Sequence, residues 1–336
     1  MQVHSTKQPH PMRFTFLGTS AGLPTRERNV TALAIAPESA REWYLVDCGE
    51  GTQHQLLQTR YSAAKLRAVF ITHVHGDHCY GLPGLIASAQ MGRRQEPLTI
   101  CAPAGIEEFI DAVRRHTDLM RLTYPLHFVR SDAEDFEYRD ENFHVTSVEL
   151  SHRVPSFAFR FTEQVHERTL DTDKLDALGI ERGPLWGELQ HGHSVQLTDG
   201  RTIAPEQVCY PQRDARRVVV GGDNDQPALL IDAMRDSDML IHEATFTEAI
   251  LAKVGPQYQH STPAQVAAAA QQAQLKHLVL THFSQRYRRH KKPGEHAIDD
   301  LFDEARALYR GNLLMADDFA SLELTRDKQL IASAHE

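Results

Sequence analysis

Cysteine is scarce in this chain and scattered where it occurs, at Cys48, Cys79, Cys101 and Cys209, with no CxxC pair. That excludes a disulfide framework and a thiolate zinc site, and it points to a reduced, cytoplasmic setting. No window approaches the roughly 18 consecutive apolar residues of a membrane span. The opening MQVHSTKQPHP carries two prolines and no apolar stretch, so neither a signal peptide nor an anchor is expected. Cationic charge is also short. Lys and Arg number 36 against 45 Asp and Glu, a net charge of −9, which argues against a protein that coats nucleic acid nonspecifically. A local basic surface is not excluded.

Histidine is what the chain has in abundance, with 20 copies in 336 residues. A chain of this length suggests roughly two domains, although large α/β folds run this long as one unit and bury a core without staples. Apolar strand-like runs lie at 12–18, 31–36, 43–49, 68–73, 98–102, 143–150 and 157–162, and again at 217–223, 238–243 and 277–283. Helical patterns fall at 53–59, 84–92, 105–116, 227–235, 262–274 and 295–309. Ser261 or Thr262 is placed to cap the fifth of these, with Pro263 in its first turn. Two β-rich halves, each followed by helices, predict an α/β fold of two packed sheets with helices outside. Residues 1–11 and 327–336 are expected to be disordered tails. Residues 164–210 are polar and lack a long periodic apolar run, which marks them as an inserted arm.

The densest chemistry is FITHVHGDHCYG, residues 70–81. His73 and His75 follow a buried strand at alternate positions and so point the same way, while Asp77 and His78 sit in the turn that opens the next helix. Two nitrogens on one side, with a carboxylate and a nitrogen on the other, are enough to begin two adjacent metal sites. The plainer reading, a histidine-rich surface loop with Asp77 as a helix cap, leaves the HxHxDH spacing unexplained. One device then recurs, an apolar strand that stops at a lone His or Asp: VELSH delivers His152, VVVGGD delivers Asp223 and LVLTH delivers His282. A lone His after a strand is more often a satisfied structural residue. The three recurrences together with the first motif reverse that balance.

The ordered set HxHxDH, His, Asp, His resembles that of the metallo-β-lactamase superfamily. FLGTSAGLPTRERNV (16–30), DCGEGTQHQLL (47–57), HEATF (242–246), HST (260–262), THFSQRY (281–287) and the arm segment GPLWGEL (183–189) are similar to motifs of tRNase Z, the tRNA 3′-processing endoribonuclease, in its short bacterial form, including those called ribonuclease BN. The resemblance runs from Met12 to about Leu324. It implies a four-layer αβ/βα sandwich of two mixed sheets over 12–326, with a protruding substrate-binding arm at 164–210. It also implies two Zn2+ per subunit, one held by His73, His75 and His152, the second by Asp77, His78 and His282, with Asp223 bridging; Mn2+ or Co2+ are alternatives. A homodimer acting on precursor tRNA follows from the same resemblance.

On that reading the activity is zinc-dependent removal of 3′ trailers by phosphodiester hydrolysis, leaving a 3′-hydroxyl on the tRNA and a 5′-phosphate on the trailer. Trimming by an exonucleolytic route is an open extension. Asp77 is the expected proton acceptor for the attacking water, and Glu243 orients His260, which protonates the leaving oxygen. The plainer reading makes Glu243 a helix N-terminal acid and His260 a cap neighbour. Expected RNA contacts are Thr19 and Ser20 of the Gly-rich loop, Ser261 and Thr262, Arg286 and Tyr287, and Gly183 and Pro184 of the arm. Residues 286–292, RYRRHKK, are the most basic stretch, equally readable as a solvated loop.

Two departures from the family pattern stand out. Residues 164–210 carry eight acidic side chains against four basic ones, a balance of −4 where the family's arm is richer in lysine, so elbow binding would lean on an exposed Trp186 and backbone contacts. Asn224 stands where Thr is expected beside Asp223. The competing enzyme on the same fold is a glyoxalase II-like thioesterase or other small-molecule hydrolase, which leaves HEAT, HST and the arm without a purpose. Di-iron redox chemistry normally replaces the second His of the motif by Glu, and His75 speaks against it.

Overall fold

The computed structural model describes residues 11–37, 42–117, 119, 121–290 and 293–333. Apart from Pro11, the expected N-terminal tail lies outside them, as do residues 291, 292 and 334–336. The chain divides into two compact units, one drawn from Met1–Tyr138, Val145–Phe161 and Arg217–Glu336, the other from Arg139–His144 and Thr162–Arg216.

Two mixed sheets organise the first unit. One has eight strands in the order Leu330–Ser333, Ser321–Leu324, Met12–Gly18, Ala32–Ala36, Trp43–Val46, Leu66–Phe70, Leu98–Ala102 and Leu126–Arg130. The other has seven, in the order Asn312–Met315, His277–Thr281, Met239–Glu243, Arg217–Val220, Ser156–Glu163, Phe143–Leu150 and Glu137–Arg139. Within each sheet the neighbouring strands nearest the site run parallel, 43–46 with 66–70 and 98–102, and 217–220 with 239–243 and 277–281. Strands covered on both faces read as continuous apolar runs, which is why Val218–Val220 and Leu278–Leu280 do not alternate.

Face-to-face packing of the sheets rests on aromatics. The Phe70 ring of the first sheet meets Phe159 at 5.3 Å and Phe161 at 5.0 Å, both edge-on. Burial of each such ring is worth roughly 2–3 kcal/mol, and edge-on pairs add about 0.5–1.5 kcal/mol. Leu82, Leu85, Ile86, Ile106 and Ile110 close the outer face of the first sheet, and Val266, Ala270, Leu301 and Ala305 that of the second. The layers are therefore helix, sheet, sheet, helix, as expected.

Four strands stop short of their expected ends, at Val46, Phe70, Val220 and Thr281 rather than 49, 73, 223 and 283. Backbone beyond those points leaves the ladder for other partners. The Thr72 amide donates to Asp47 Oδ1 at 2.8 Å, and His282 adopts φ 58°, where a strand cannot continue. The expected tail at 327–336 is corrected in its described part: Leu330–Ser333 is a strand paired antiparallel with Ser321–Leu324. Helix Pro263–Gln272 starts as expected, with a reciprocal cap between Thr262 and Gln265.

The second unit has its own small core of Leu175, Ile180, Leu189, Val195, Ile203 and Val208. Its helices Thr172–Ala177, Pro184–Gln190 and Pro205–Val208 are too short to print a periodic pattern. Trp186, expected to be exposed, packs half-buried against this core and donates its indole N–H to the Ile180 carbonyl at 3.1 Å. At the two ends of the unit, Glu163 accepts from Arg213 Nη1 at 2.6 Å and Nη2 at 2.7 Å, and from Arg216 Nε at 2.9 Å.

Candidate metal centre and active site

Loops that follow the C-terminal ends of the parallel strands bring together residues up to 209 positions apart, His73 to His282. That is where ligand sites form in open α/β sheets. Three groups result, each with donor atoms within 4.8 Å of one another: His73, His75, His152 and Asp223; Asp77, His78 and His282; and Asp223, His260 and His282. Asp223 faces both halves. Its Oδ1 is 3.4 Å from His78 Nε2 and from His282 Nε2, and its Oδ2 is 3.6 Å from His73 Nε2 and 3.8 Å from His152 Nε2. Two close backbone approaches shape the floor. A Cβ on Gly81 would fall 2.0 Å from the Gly49 carbonyl oxygen, and one on Gly49 would fall 2.4 Å from the Asp77 carbonyl oxygen.

The second nitrogen of most of these imidazoles is tied outward, which fixes the tautomer. His78 Nδ1 donates to Asp47 Oδ2 at 2.7 Å, His152 Nδ1 to the Gln259 carbonyl at 2.9 Å, and His282 Nδ1 to Thr245 Oγ1 at 2.9 Å. Thr72 Oγ1 donates to Asp47 and accepts from His73 Nδ1 at 3.0 Å. The free nitrogens therefore crowd inward, with His73 Nε2 at 3.1 Å from His75 Nδ1 and His78 Nε2 at 3.3 Å from His282 Nε2. Ring nitrogens at that spacing need a proton or a cation between them. Asp223 Oδ1, buried and without a hydrogen-bond partner, is a second sign of the same kind. Imidazole and carboxylate donors in this number fit divalent transition metals, zinc above magnesium.

Electrostatics agree. Burial, and then the neighbouring imidazoles, hold His73 well below the usual histidine range; burial and His152 lower His75, and burial lowers His152. Neutral rings are the form that donates to a metal. His78 goes the other way: burial alone would depress it, but Asp47, Asp223 and Asp77 outweigh that and hold its proton. A cation would displace that proton. Asp77 and Asp223 both lie below the ordinary carboxylate range, burial being overcome by His78 and His282 for the first and by His282 and His78 for the second.

Glu243 and His260 lie together, with His260 Nδ1 donating to Glu243 Oε1 at 3.0 Å. His260 is pushed up to about 9, burial being outweighed by the Glu243 and Asp223 carboxylates. A cleft of about 430 Å³ opens over the centre, lined by His75, Asp77, Asp223 and His260 with exposed Tyr80 and Arg153 at its margin. Neither of the last two was singled out by motif reading; nor was Asp47, whose only sequence signal is the DCGEGT stretch, nor Thr245 of HEAT.

Five of the expected RNA contacts have their side chains engaged inside the chain. Thr19 and Ser20 are fully buried, their hydroxyls donating to Asp318 Oδ1 and to the Leu23 carbonyl, each at 2.7 Å. Ser261 donates to the Asn224 carbonyl, and Thr262 is consumed as a helix cap. Tyr287 is 4% exposed, and its hydroxyl accepts from the Thr247 amide at 2.7 Å, so its ring is not free to stack. The loop at 19–30 does reach the centre through backbone, the Gly22 amide donating to Asp77 Oδ2 at 2.7 Å. Arg286 is exposed beside the Phe246 ring, at 5.8 Å, and Gly183 and Pro184 are exposed in the second unit.

Comparison with known proteins adds four findings. A family profile described as anti-Pycsar protein Apyc1 matches residues 12–168. A ribonuclease Z of Marinobacter nauticus is 53% identical over 319 residues, covering 95% of this chain and 98% of that protein. Among solved structures, human tRNase Z, short form, superposes with a TM-score of 0.61 at 28% identity, covering 92% of this chain and 98% of that one. The metallo-β-lactamase fold protein YhfI from Bacillus subtilis, at 20% identity and a TM-score of 0.63 over 93% of this chain and 98% of that one, shares the fold.

Proposed function

From the premise that the chain belongs to the ribonuclease Z family, we propose a division of labour within one catalytic centre. The protein is a hydrolase, an endoribonuclease that removes 3′ trailers from precursor tRNA. The finer reading concerns metals and residues. His73, His75 and His152 would hold one divalent ion and Asp77, His78 and His282 a second, with Asp223 facing both sets. That reading is supported by one observation: the buried Asp223, its Oδ1 without a hydrogen-bond partner, between two sets of inward-facing imidazole nitrogens. When bound, a pair of zinc ions supplies Lewis acidity that lowers the pKa of water and neutralises charge on the phosphodiester.

The chain's own groups do the rest. Asp77, ionised and oriented by the Gly22 amide, accepts the proton of the attacking water. Glu243 holds the His260 ring by Nδ1, which leaves Nε2 to protonate the departing 3′-oxygen of the tRNA. Exposed Arg153 and Arg286 meet phosphates, and the second unit, through Gly183 and Pro184, takes the body of the substrate. Apolar Leu57 and Met91, about 80% exposed on or beside two helices that touch, support a homodimer. A cytoplasmic location is in keeping with this substrate.

Cleavage of a precursor tRNA bearing a trailer, before and after chelation, tests the assignment. We expect turnover to vanish with the metal and return with zinc, at two ions per chain by elemental analysis. His260→Ala should lower turnover by roughly 10²–10⁴-fold with the metal content unchanged. Loss of metal in that variant would make His260 a ligand rather than a proton donor, and the third metal-capable group shows how close that alternative is.

A further inference from the structure

Asn224 is fully buried beside Asp223, and every polar group it has is engaged. Its amide N–H donates to Glu243 Oε1 at 3.0 Å, and its carbonyl accepts from Ser261 Oγ. Side-chain Oδ1 accepts from the Ser151 amide at 3.3 Å and the Gln226 amide at 3.0 Å, while Nδ2 lies 3.1 Å from His242 Nε2. His242 Nδ1 is 2.8 Å from the Glu243 carbonyl, which only accepts. The His242 proton is therefore on Nδ1, and Nε2 must accept from Asn224. No other side chain of this size ends in one acceptor and one donor, and both are needed here.

These bonds connect the segments that carry the chemistry. Ser151 adjoins His152, Ser261 adjoins His260, and His242 adjoins Glu243. Glu243 Oε1 is shared between the Asn224 amide and His260 Nδ1, and its Oε2 accepts from Thr245. We propose that Asn224 is a positioning residue that locks the Glu243–His260 pair to the Asp223 turn, so that the proton donor keeps its station relative to the metal-binding cluster. Thr, the residue expected at this position from the family pattern, carries a single hydroxyl oxygen, which cannot stand both where Oδ1 meets the Ser151 and Gln226 amides and where Nδ2 meets His242. This chain therefore uses a denser lock.

The inference rests on the reading of His260 as proton donor, and the test separates the two. Asn224→Asp preserves size and the two amide bonds but faces His242 Nε2 with a second acceptor; Asn224→Thr removes the reach to His242. Each variant is compared with wild type and His260→Ala on two substrates, a precursor tRNA, whose alkoxide leaving group needs a proton, and an aryl phosphodiester with a nitrophenolate leaving group, which does not. Zinc content and thermal midpoint are measured alongside. We expect both Asn224 variants to retain zinc and to lose about tenfold or more in kcat on the precursor, with KM within about twofold. On the aryl diester they should lose less than about threefold. Equal losses on both substrates, or no loss on the precursor, overturn the role of Asn224 if His260→Ala still discriminates between the substrates. If His260→Ala does not discriminate, the proton-donor reading fails first, and the positioning role fails with it.

Discussion

Glu163→Gln is the perturbation that isolates the clamp at the ends of the second unit. Glu163 is 9% exposed and bonded to both Arg213 and Arg216, the latter wholly buried. Burial would raise its carboxyl, but the hydrogen bonds and charges of Arg213 and Arg216 prevail and push it down to about 2 from its ordinary 4.5. The gap of about 2.5, at 1.36 kcal/mol per pH unit, amounts to about 3 kcal/mol of local stability. A depressed carboxyl contributes that stability fully above the unfolded value, near pH 4.5, and loses it as pH falls through about 2.

Glutamine keeps an acceptor but removes the carboxylate charge that Glu163 presents to the buried Arg216, which costs about 3 kcal/mol at neutral pH, the low end for a broken buried pair. The chain has two tryptophans, Trp43 and Trp186, and only Trp186 belongs to this unit. In a Trp43→Phe background, Trp186 fluorescence reports opening of the unit as acid is added. Wild type should show a difference from Glu163→Gln of about 3 kcal/mol at pH 7 that shrinks to near zero by pH 2. If the unit takes the body of the tRNA, KM for precursor rises in the variant while turnover of a small phosphodiester is unchanged. Parallel acid curves for the two proteins would refute the argument.

Three further outcomes can be measured directly. Gly81→Ala should fail to fold or lose its metal, because the added Cβ meets backbone at 2.0 Å, whereas Gly76→Ala should be mild, since the obstacle is the ring of Tyr80, which is 63% exposed and can swing away; thermal melts with zinc analysis distinguish them. Tyr287→Phe removes a buried hydroxyl from Thr247 and should cost about 1–2 kcal/mol in denaturant titration with KM for precursor unaltered; a raised KM at full stability would restore the stacking role. Asp47→Asn takes the carboxylate from His78 Nδ1 and should weaken zinc binding by about 10–100-fold in chelator competition while the fold persists.

Much of the site was legible in the linear chain because metal ligands are few in kind and strand ends are marked by apolar runs. HxHxDH announced itself by spacing, and His152, Asp223 and His282 each ended a β-rich run. Motif reading does not show which way a side chain turns. Thr19, Ser20, Ser261, Thr262 and Tyr287 look like solvent-facing polar groups in FLGTSAG, HST and SQRY, yet each is spent on an internal hydrogen bond. Asp47 and Asn224 were quoted within motifs, but their partners, His78 and His242 among them, come from other segments. The core of the second unit escaped because its apolar residues are spread over short elements with no period to detect.

What the sequence by itself determined is the set of candidate donors and the positions of the most apolar strands, since both follow from side-chain chemistry and from periodicities of a few residues. Tertiary structure alone decided that two sets of imidazole nitrogens point at one carboxylate, that Asp47, Thr245 and Gln259 fix the tautomers, and that Asn224 binds four segments into one scaffold. The physical reason is range. Backbone periodicity is encoded locally, whereas the direction of a lone pair is set by packing between residues as distant as His73 and His282.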